Sequence, residues 1–319
     1  MAHLISYRMK TTVNNPPCSL LLVVLVLYPL SSYSSAGKKE AKTSHDINAI
    51  GHRVIGYQSG YGNWYSLDKE KQIGAQLSAE YEKSTPLIRD EATQVYLDGL
   101  TRAISQNSDT QFSITTRVLD REDSFALTLA GGYQYVSHGL LLQMENESEL
   151  AAVIARGIAH TSLRSATGLA TRANLMKIMT VPLTFGGPEP TASSTSNDGL
   201  SVPLTLLRFR REDESAADYF GVQYLCKSGY SPEGFISFIQ KVWISNTPGT
   251  SKAFSAFPPL SERLEALRRE IQEILPKQST AVTNTQNFVT FREHLLTVAP
   301  PKPLPKNPIL LRRDPQRLD

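Results

Sequence analysis

The segment from Glu145 to Arg164 carries the residues whose types and spacing could do hydrolytic chemistry. Its sequence is E-N-E-S-E-L-A-A-V-I-A-R-G-I-A-H-T-S-L-R. In zinc peptidases with the motif H-E-x-x-H, two imidazoles one helical turn apart hold the metal, and the Glu acts as general base on the metal-bound water. Counting back from His160, Arg156 stands at the first-ligand position and Gly157 at the general-base position. The segment therefore keeps only the second His of this motif.

The motif segment is expected to form a helix. Four apolar residues recur along it at steps of three and four: Leu150, Val153, Ile154 and Ile158. Asn146, followed three residues later by Glu149, has the form of an N-terminal capping box. The helix should therefore begin near Asn146 and carry Arg156 and His160 on one face.

Further elements flank this helix in the sequence. Helical spacing of apolar residues predicts helices at 66–83, 90–105, 204–227, 232–242 and 260–275. Alternation predicts a half-buried strand at 111–119, and a further extended run covers 125–136. The pair Gly131-Gly132 inside that run suggests a bend or a close approach by another chain.

The net charge of the chain bears on whether a nucleic acid is a partner. The chain has 319 residues, with 33 Lys and Arg against 30 Asp and Glu. Arg8 and Lys10 lie in a leader without acidic residues, so the remainder carries 33 − 2 = 31 basic residues against 30 acidic ones. A body so close to neutral gives no reason to expect a nucleic acid partner.

Residues 1–36 have the three parts of a secretory signal peptide. Arg8 and Lys10 precede an apolar run at 20–27, and small residues at 34–36 could be a cleavage site. The apolar run is shorter than the roughly 20 residues that cross a bilayer, so cleavage is favoured over a retained anchor. We therefore expect an exported protein of the periplasm or cell envelope, without a stable transmembrane span after cleavage.

The rest of the chain divides into three segments by composition. Residues 37–65 form a polar lead-in that is expected to be extended or poorly ordered, and 66–275 form the main domain. Residues 276–319 form a polar tail, and its proline-rich end at 300–319 is expected to be disordered or bound to the surface.

Three further segments occur around the motif helix in a fixed order. They are F-A-L-T-L-A-G-G-Y at 125–133, R-E-D-E-S-A-A-D-Y-F-G at 211–221 and S-A-F-P at 255–258. With the motif helix, they resemble the HtpX- and BepA-type zinc metallopeptidases, the family that also holds the CAAX prenyl-protein endopeptidases. The resemblance covers roughly 66–275. It implies a peptidase-like domain with a mainly helical α+β, zincin-like fold and a small sheet beside the motif helix.

The resemblance also assigns roles to individual residues. His160 and Glu214 match the second and third zinc ligands, and Asp218 matches the acidic residue that supports the site. In the family a substrate adds as an extended chain alongside the strand that carries Gly131 and Gly132.

The departures from the family pattern fall where the chemistry would occur. Arg156 and Gly157 replace a ligand and the general base, Phe257 replaces a later His, and Phe125 replaces the Asn of the substrate-edge strand. A guanidinium about 4 Å from a divalent ion would be repelled by roughly 8 kcal/mol at an effective dielectric constant near 20. Zinc is therefore the family's cofactor, but the ligand set here is incomplete and we expect no tightly held cofactor.

We hypothesise that Arg156 replaces the metal. A guanidinium matches a carboxylate with two parallel hydrogen bonds, so Arg156 could bridge to Glu214, with Asp218 as a second partner, and tie two helices together. The alternative is that Arg156 is simply solvated.

His138 and Cys226 are two further residues with chemically reactive side chains. His138 could supply a substitute ligand, but an exposed turn residue is the favoured interpretation. Cys226 lies in an apolar helical context and is expected to be a small buried side chain, not a reactive thiol.

Three functional hypotheses remain. The first is a catalytically degenerate, peptidase-like protein of the cell envelope that acts as a binding scaffold or chaperone for extended polypeptides or envelope proteins. The second is a residual zinc-dependent metalloendopeptidase. The third is a structural envelope protein that acts through the tail at 300–319.

Overall fold

The computed structural model describes residues 46–59, 62–180, 204–245, 258–277 and 279–300. The helices within these ranges are α1 Leu67–Ser84, α2 Glu91–Ser105, α3 His138–Gln143, α4 Glu147–Leu163, α5 Ser165–Thr180, α6 Leu204–Lys227, α7 Glu233–Ser245, α8 Leu260–Arg269 and α9 Gln286–Val298. The strands are β1 Leu87–Ile88, β2 Thr115–Leu119, β3 Ala126–Thr128 and β4 Tyr133–Ser137. The predicted mainly helical α+β fold is confirmed.

The four described strands form one mixed sheet in the order β1-β2-β4-β3. β2 and β4 are parallel, whereas β1 with β2 and β3 with β4 are antiparallel. Among the described strands, β3 therefore lies at an edge. The predicted small sheet beside the motif helix is present, since α4 contacts β3.

The motif helix α4 is the centre of the fold. Of its residues from Glu147 to Leu163, all but Arg156 and His160 are buried. The helix packs against α2, α6, α7 and the sheet, which explains why its apolar residues surround it almost completely. Arg156 and His160 lie one turn apart, so they mark the single face of α4 that is open.

Both ends of α4 are fixed by side chains. The Asn146 side chain accepts a hydrogen bond from the Glu149 backbone N–H at 3.0 Å, as a capping box requires. The Glu149 carboxylate accepts from the backbone N–H of Glu145, one residue before the cap, at 2.8 Å. At the other end, Arg164 has a left-handed φ of 55° and donates from Nε to Glu70 Oε2 at 2.8 Å.

The predicted extended run at 125–136 is wrong in its middle. A 3₁₀ turn at Ala130–Gly132 separates β3 from β4, and Gly131 and Gly132 have φ values of 73° and 94°. The glycine pair is therefore the bend that the sequence suggested and does not lie on the edge strand. Only glycine adopts these angles readily, so the pair allows β4 to turn back against β3.

The expectation of a poorly ordered lead-in is wrong for residues 46–59. Three isoleucines of this segment are buried in the core: Ile47, Ile50 and Ile55. Arg53 is buried as well, and its charge is paired with Asp109 at 2.5 Å. The segment looked polar in the sequence because it contains Arg53, whose charge is buried together with that of its partner Asp109.

The polar tail predicted from residue 276 contains a packed helix. α9 begins after Thr285, whose hydroxyl accepts from the Phe288 backbone N–H at 3.2 Å, and it buries Phe288, Phe291 and Leu295. These apolar residues at helical spacing were overlooked beside the surrounding polar composition. The leader at 1–36, Phe257 and the proline-rich stretch at 301–319 lie outside the described residues. No helix in the described ranges is both long and apolar enough to cross a membrane.

The turn before β4 depends on its close approach to α1. A Cβ at Gly74, inside α1, would lie 2.1 Å from the carbonyl oxygen of Ala130. We expect Gly74→Ala to lower the free energy of unfolding by about 1–3 kcal/mol, because the helix and the turn must move apart. Urea denaturation followed by circular dichroism measures this effect.

Gly99, inside α2, is the matched control because a Cβ there would meet no atom within 4 Å. Gly99→Ala should raise the free energy of unfolding by about 0.5–1 kcal/mol through helix propensity. Equal changes in the two variants would contradict the close packing of α1 on the turn.

Candidate functional site

A cleft of about 300 Å³ lies beside the open face of α4. It is bounded by the β3 segment Ala126–Ala130 and by side chains of α4 and α6. Those from α4 include Arg156 and His160, and those from α6 include Asp213 and Glu214. The structure thus brings together three residues that the sequence placed in the site, His160, Arg156 and Glu214.

Arg156 is paired with both carboxylates that the sequence suggested. Its Nη2 donates to Glu214 Oε2, and its Nε donates to Asp218 Oδ1 at 2.9 Å. Only 17% of the Arg156 side chain is exposed, against 14% for Glu214 and 5% for Asp218. The hypothesis of a bridging Arg156 is confirmed, and the alternative of a solvated Arg156 is wrong.

Asp218 is shared with a second arginine. Arg263 of α8 donates from Nε to Asp218 Oδ2 at 2.7 Å and from Nη2 to Oδ1 at 2.9 Å. Asp218 therefore joins α6 to both α4 and α8. We call Glu214, Arg156, Asp218 and Arg263 the ion cluster.

The carboxylates of the cluster share one face of α6 because they are four residues apart. The face lies very near α4, since a Cβ at Gly221, one turn beyond Asp218, would be 3.2 Å from the Arg156 Cα. The small residue at this point lets the two helices approach closely enough for a short guanidinium bridge.

Within the ion cluster, Arg156 and Glu214 favour each other's charged form. Burial raises the pKa of Glu214, but the positive charge of Arg156 and the adjacent His160 outweigh it and hold that pKa well below its usual range. Burial likewise lowers the pKa of Arg156, and its attraction to Glu214 and Asp218 more than reverses this and raises the pKa. The two groups therefore stabilise each other's charge.

His160 remains next to Glu214, as a second and a third ligand would. Its Nε2 lies 3.6 Å from Glu214 Oε2, and its Nδ1 lies 3.5 Å from the Ser165 hydroxyl. The same Oε2 of Glu214 already accepts from the guanidinium of Arg156. The two retained ligands are thus adjacent. However, Glu214 Oε2, the oxygen beside His160, already accepts a hydrogen bond from a permanent cation.

These residues do not fit the zinc ion of the H-E-x-x-H site. Zinc in a hydrolytic centre needs three protein ligands and one open position. Here the first-ligand position carries a guanidinium, which repels a cation and satisfies the carboxylate of Glu214 in the place of a metal. Within the described residues, no group of three or more His, Cys, Asp or Glu side chains is arranged to hold a metal.

The general-base position holds a different side chain, which sequence reasoning missed. Gly157 has no side chain, and a Cβ placed there would lie 2.7 Å from Cδ of Gln134 on β4. Gln134 is 2% exposed, and its Nε2 has no hydrogen-bond partner. A lone amide between Tyr133 and Tyr135 in a buried strand is the signal that could have pointed to it.

Asp213 also lines the cleft and is hydrogen-bonded to Tyr57, and sequence reasoning missed both residues. The Tyr57 hydroxyl donates to Asp213 Oδ1 at 2.5 Å, whereas Oδ2 has no hydrogen-bond partner. Burial raises the pKa of Asp213 to about 6, although the hydrogen bond from Tyr57 opposes this rise. The position of Asp213 directly before Glu214 was the available signal.

Within the part of the chain that the structure describes, the edge of β3 away from β4 is unpaired, and it borders the cleft. The Leu129 N–H donates to the Tyr133 carbonyl at 2.8 Å, and the Ser137 N–H donates to the Phe125 carbonyl at 2.9 Å. Antiparallel pairing alternates, so the backbone groups of Ala126 and Thr128 point away from β4. The cleft strand is therefore β3, and the glycines assigned to it stand in the turn that follows.

Neither His138 nor Cys226 takes part in the cleft. His138 is 3% exposed, with Nδ1 3.6 Å from the Asp120 carboxylate, so its interpretation as an exposed turn residue is wrong. His138 is the first residue of α3, and the packing of this helix buries its ring. Cys226 is buried as predicted, and burial raises the pKa of its thiol.

Comparison with known proteins gives consistent matches. A model of peptidase family M48 matches residues 91–271, which is more than half of the chain. The chain is 23% identical over 244 residues to the beta-barrel assembly-enhancing protease of Yersinia pestis, covering 72% of this chain and 49% of that protein. It is 24% identical over 193 residues to the proteins of the same name from Escherichia coli K12 and Shigella flexneri, covering 57% of this chain and 39% of each. The chain spans about half or less of the length of these curated relatives.

Removing the guanidinium should leave two buried carboxylates facing each other. We expect Arg156→Met to lower the free energy of unfolding by about 3 kcal/mol, as for other broken buried ion pairs. The added change Glu214→Gln should restore part of this loss, because it removes one uncompensated charge. Urea denaturation of each variant in the presence of EDTA measures both effects.

The control is Arg269→Met, since Arg269 and Glu265 form an ion pair with side chains 61% and 73% exposed. Its effect should stay below about 1 kcal/mol. If Arg156→Met were as mild as this control, the ion cluster would not be stabilising the fold.

Proposed function

The chain belongs to peptidase family M48, and we propose that it is a catalytically silent member whose cleft binds an extended polypeptide without cutting it. The observation that carries this proposal is the guanidinium of Arg156 on Glu214, at the position where a third metal ligand would be needed. The role is that of a scaffold or chaperone and not of a hydrolase.

The argument against hydrolysis has two independent parts. The ion cluster replaces the metal, and a permanent cation in its place disfavours zinc by several kcal/mol. Separately, Gly157 offers no group that could take a proton from water, and a positioned base contributes about a hundred- to ten-thousandfold in rate. Restoring the metal ligand alone would still leave the site without a general base, and restoring the base alone would leave it without the ligand.

The argument for binding rests on backbone groups that need no metal. The free edge of β3 presents the N–H and C=O groups of Ala126 and Thr128 beside the cleft. An extended chain can add to such an edge through main-chain hydrogen bonds. Loss of the zinc chemistry would leave this mode of binding unchanged.

The names of the relatives suggest which polypeptides are bound. Those proteins are called beta-barrel assembly-enhancing proteases. For this chain we propose an analogous task, the capture of unpaired strands of envelope proteins. The leader at 1–36 supports a location in the periplasm or at the cell envelope.

One observation favours the second candidate, a residual metallopeptidase. His160 Nε2 and Glu214 Oε2 are still 3.6 Å apart, so two ligands of the parent site remain together. A metal bound between them would have to displace the guanidinium from Glu214, which makes this candidate the weaker one.

Fluorescein-labelled β-casein, an unstructured polypeptide, tests both candidates in one sample. We expect fluorescence anisotropy to detect binding, whereas gel electrophoresis should detect no cleavage above that in buffer with added zinc. Thr128→Pro removes an N–H from the free edge of β3 and keeps the bonds to β4, so it should weaken binding roughly fivefold, the value of one hydrogen bond.

Thr128→Ala is the control because it keeps the backbone N–H, and it should bind casein as the wild-type chain does. Casein cleavage that disappears on His160→Ala would instead establish the metallopeptidase. Binding that is insensitive to Thr128→Pro would place the polypeptide elsewhere on the surface.

A further inference from the structure

We propose that the carboxamide of Gln134, lying where the catalytic carboxylate would be, donates a hydrogen bond to a backbone carbonyl of the bound polypeptide. This inference rests on the proposed binding function and adds a specific residue to it. Gln134 would thus turn the vacated base position into part of the binding site.

The position of Gln134 follows from the sheet. It lies on β4, directly opposite Thr128 of the edge strand β3. Residues opposite each other in antiparallel strands project to the same face, so Gln134 and Thr128 both face α4. The Gln134 side chain crosses this space and ends against Gly157, where Cδ, Oε1 and Nε2 all lie within 2.9 Å of a hypothetical Cβ.

Gln134 and Gly157 therefore act as one unit. Any side chain at 157, including that of a catalytic Glu, would displace the carboxamide from α4. The loss of the base is what makes room for the amide at the floor of the cleft. The replacement puts a neutral hydrogen-bonding group where the parent chemistry uses an anion.

The Nε2 atom of Gln134 is an unsatisfied hydrogen-bond donor. It is buried and has no hydrogen-bond partner, although Gln134 lines the cleft and is 2% exposed. Buried amide donors are satisfied in the great majority of proteins because an unpaired one is costly. An acceptor on a ligand would remove that cost, so the binding of such a ligand would be favoured.

A second unpartnered group narrows the class of ligand. Asp213 also lines the cleft, is 6% exposed, and has no hydrogen-bond partner at Oδ2. The cleft therefore offers an unused donor and an unused acceptor. A peptide main chain carries both C=O and N–H groups, whereas an inorganic anion carries acceptors and a metal ion neither. The pair of groups matches the polypeptide that the β3 edge would also hold.

The test uses Gln134→Met, which keeps the length of the side chain and removes the N–H donor. Anisotropy with fluorescein-labelled β-casein should give binding about three- to tenfold weaker than that of the wild-type chain, the loss of one hydrogen bond. Gln272→Met, at an exposed glutamine outside the cleft lining, should leave the affinity unchanged.

A spectroscopic readout separates a ligand contact from a purely structural role. The side-chain NH₂ resonances of Gln134 in the ¹⁵N-labelled wild-type chain, assigned by their absence in Gln134→Met, should shift when casein is added. If Gln134→Met does not fold, through-bond correlation of the side-chain NH₂ group with the Gln134 backbone resonances supplies the assignment, and no folded variant is then needed.

The outcomes distinguish the two proposals. If the wild-type chain binds casein through the β3 edge but Gln134→Met binds equally well and the NH₂ resonances do not move, the role of Gln134 is refuted and the binding function stands. If the wild-type chain does not bind casein at all, the proposed function fails and the inference fails with it. A loss of stability in Gln134→Met with unchanged affinity would mean that the amide only fills space.

Discussion

The fold around the motif helix depends on the ion pair between Arg156 and the two carboxylates of α6. Buried carboxylates are tolerated only when a counter-charge with matching geometry satisfies them. The guanidinium supplies this by donating to Glu214 and, at 2.9 Å, to Asp218. In the metal-binding arrangement a zinc ion would bridge the same two helices. A side chain of α4 therefore links α4 to α6 through these two carboxylates.

Other features of the site follow from this constraint. Asp218 must accept from Arg156 and Arg263 at once, so α4, α6 and α8 converge on one carboxylate. The gap between α4 and α6 is narrow at Gly221. It therefore limits the access of solvent to the Arg156 guanidinium and strengthens its hydrogen bonds. At the next residue of α4, Gly157 admits Gln134 from the sheet. Arg156, Gly157 and Gln134 all line the cleft that β3 also borders.

Much of this arrangement was accessible from the sequence, because it is encoded in local patterns. The span of α6, the cap at Asn146 and the bridge from Arg156 to Glu214 followed from helical spacing and charge complementarity. What failed was set by tertiary contacts. Residues 46–59 and α9 looked polar, yet each hides an apolar stripe that only packing reveals. Gln134 could not be placed, since its contact with Gly157 depends on how the sheet sits on the helix.

The most direct test of the account is the zinc content of two chains, measured by mass spectrometry of the metal after zinc loading and gel filtration. We expect the wild-type chain to retain far less than one equivalent, whereas Arg156→His, which restores the first ligand and so completes a set of three, should retain about one. That zinc should be lost again when Glu214→Ala is added. About one zinc per wild-type chain, released by His160→Ala, would contradict the claim that an arginine stands in for the metal.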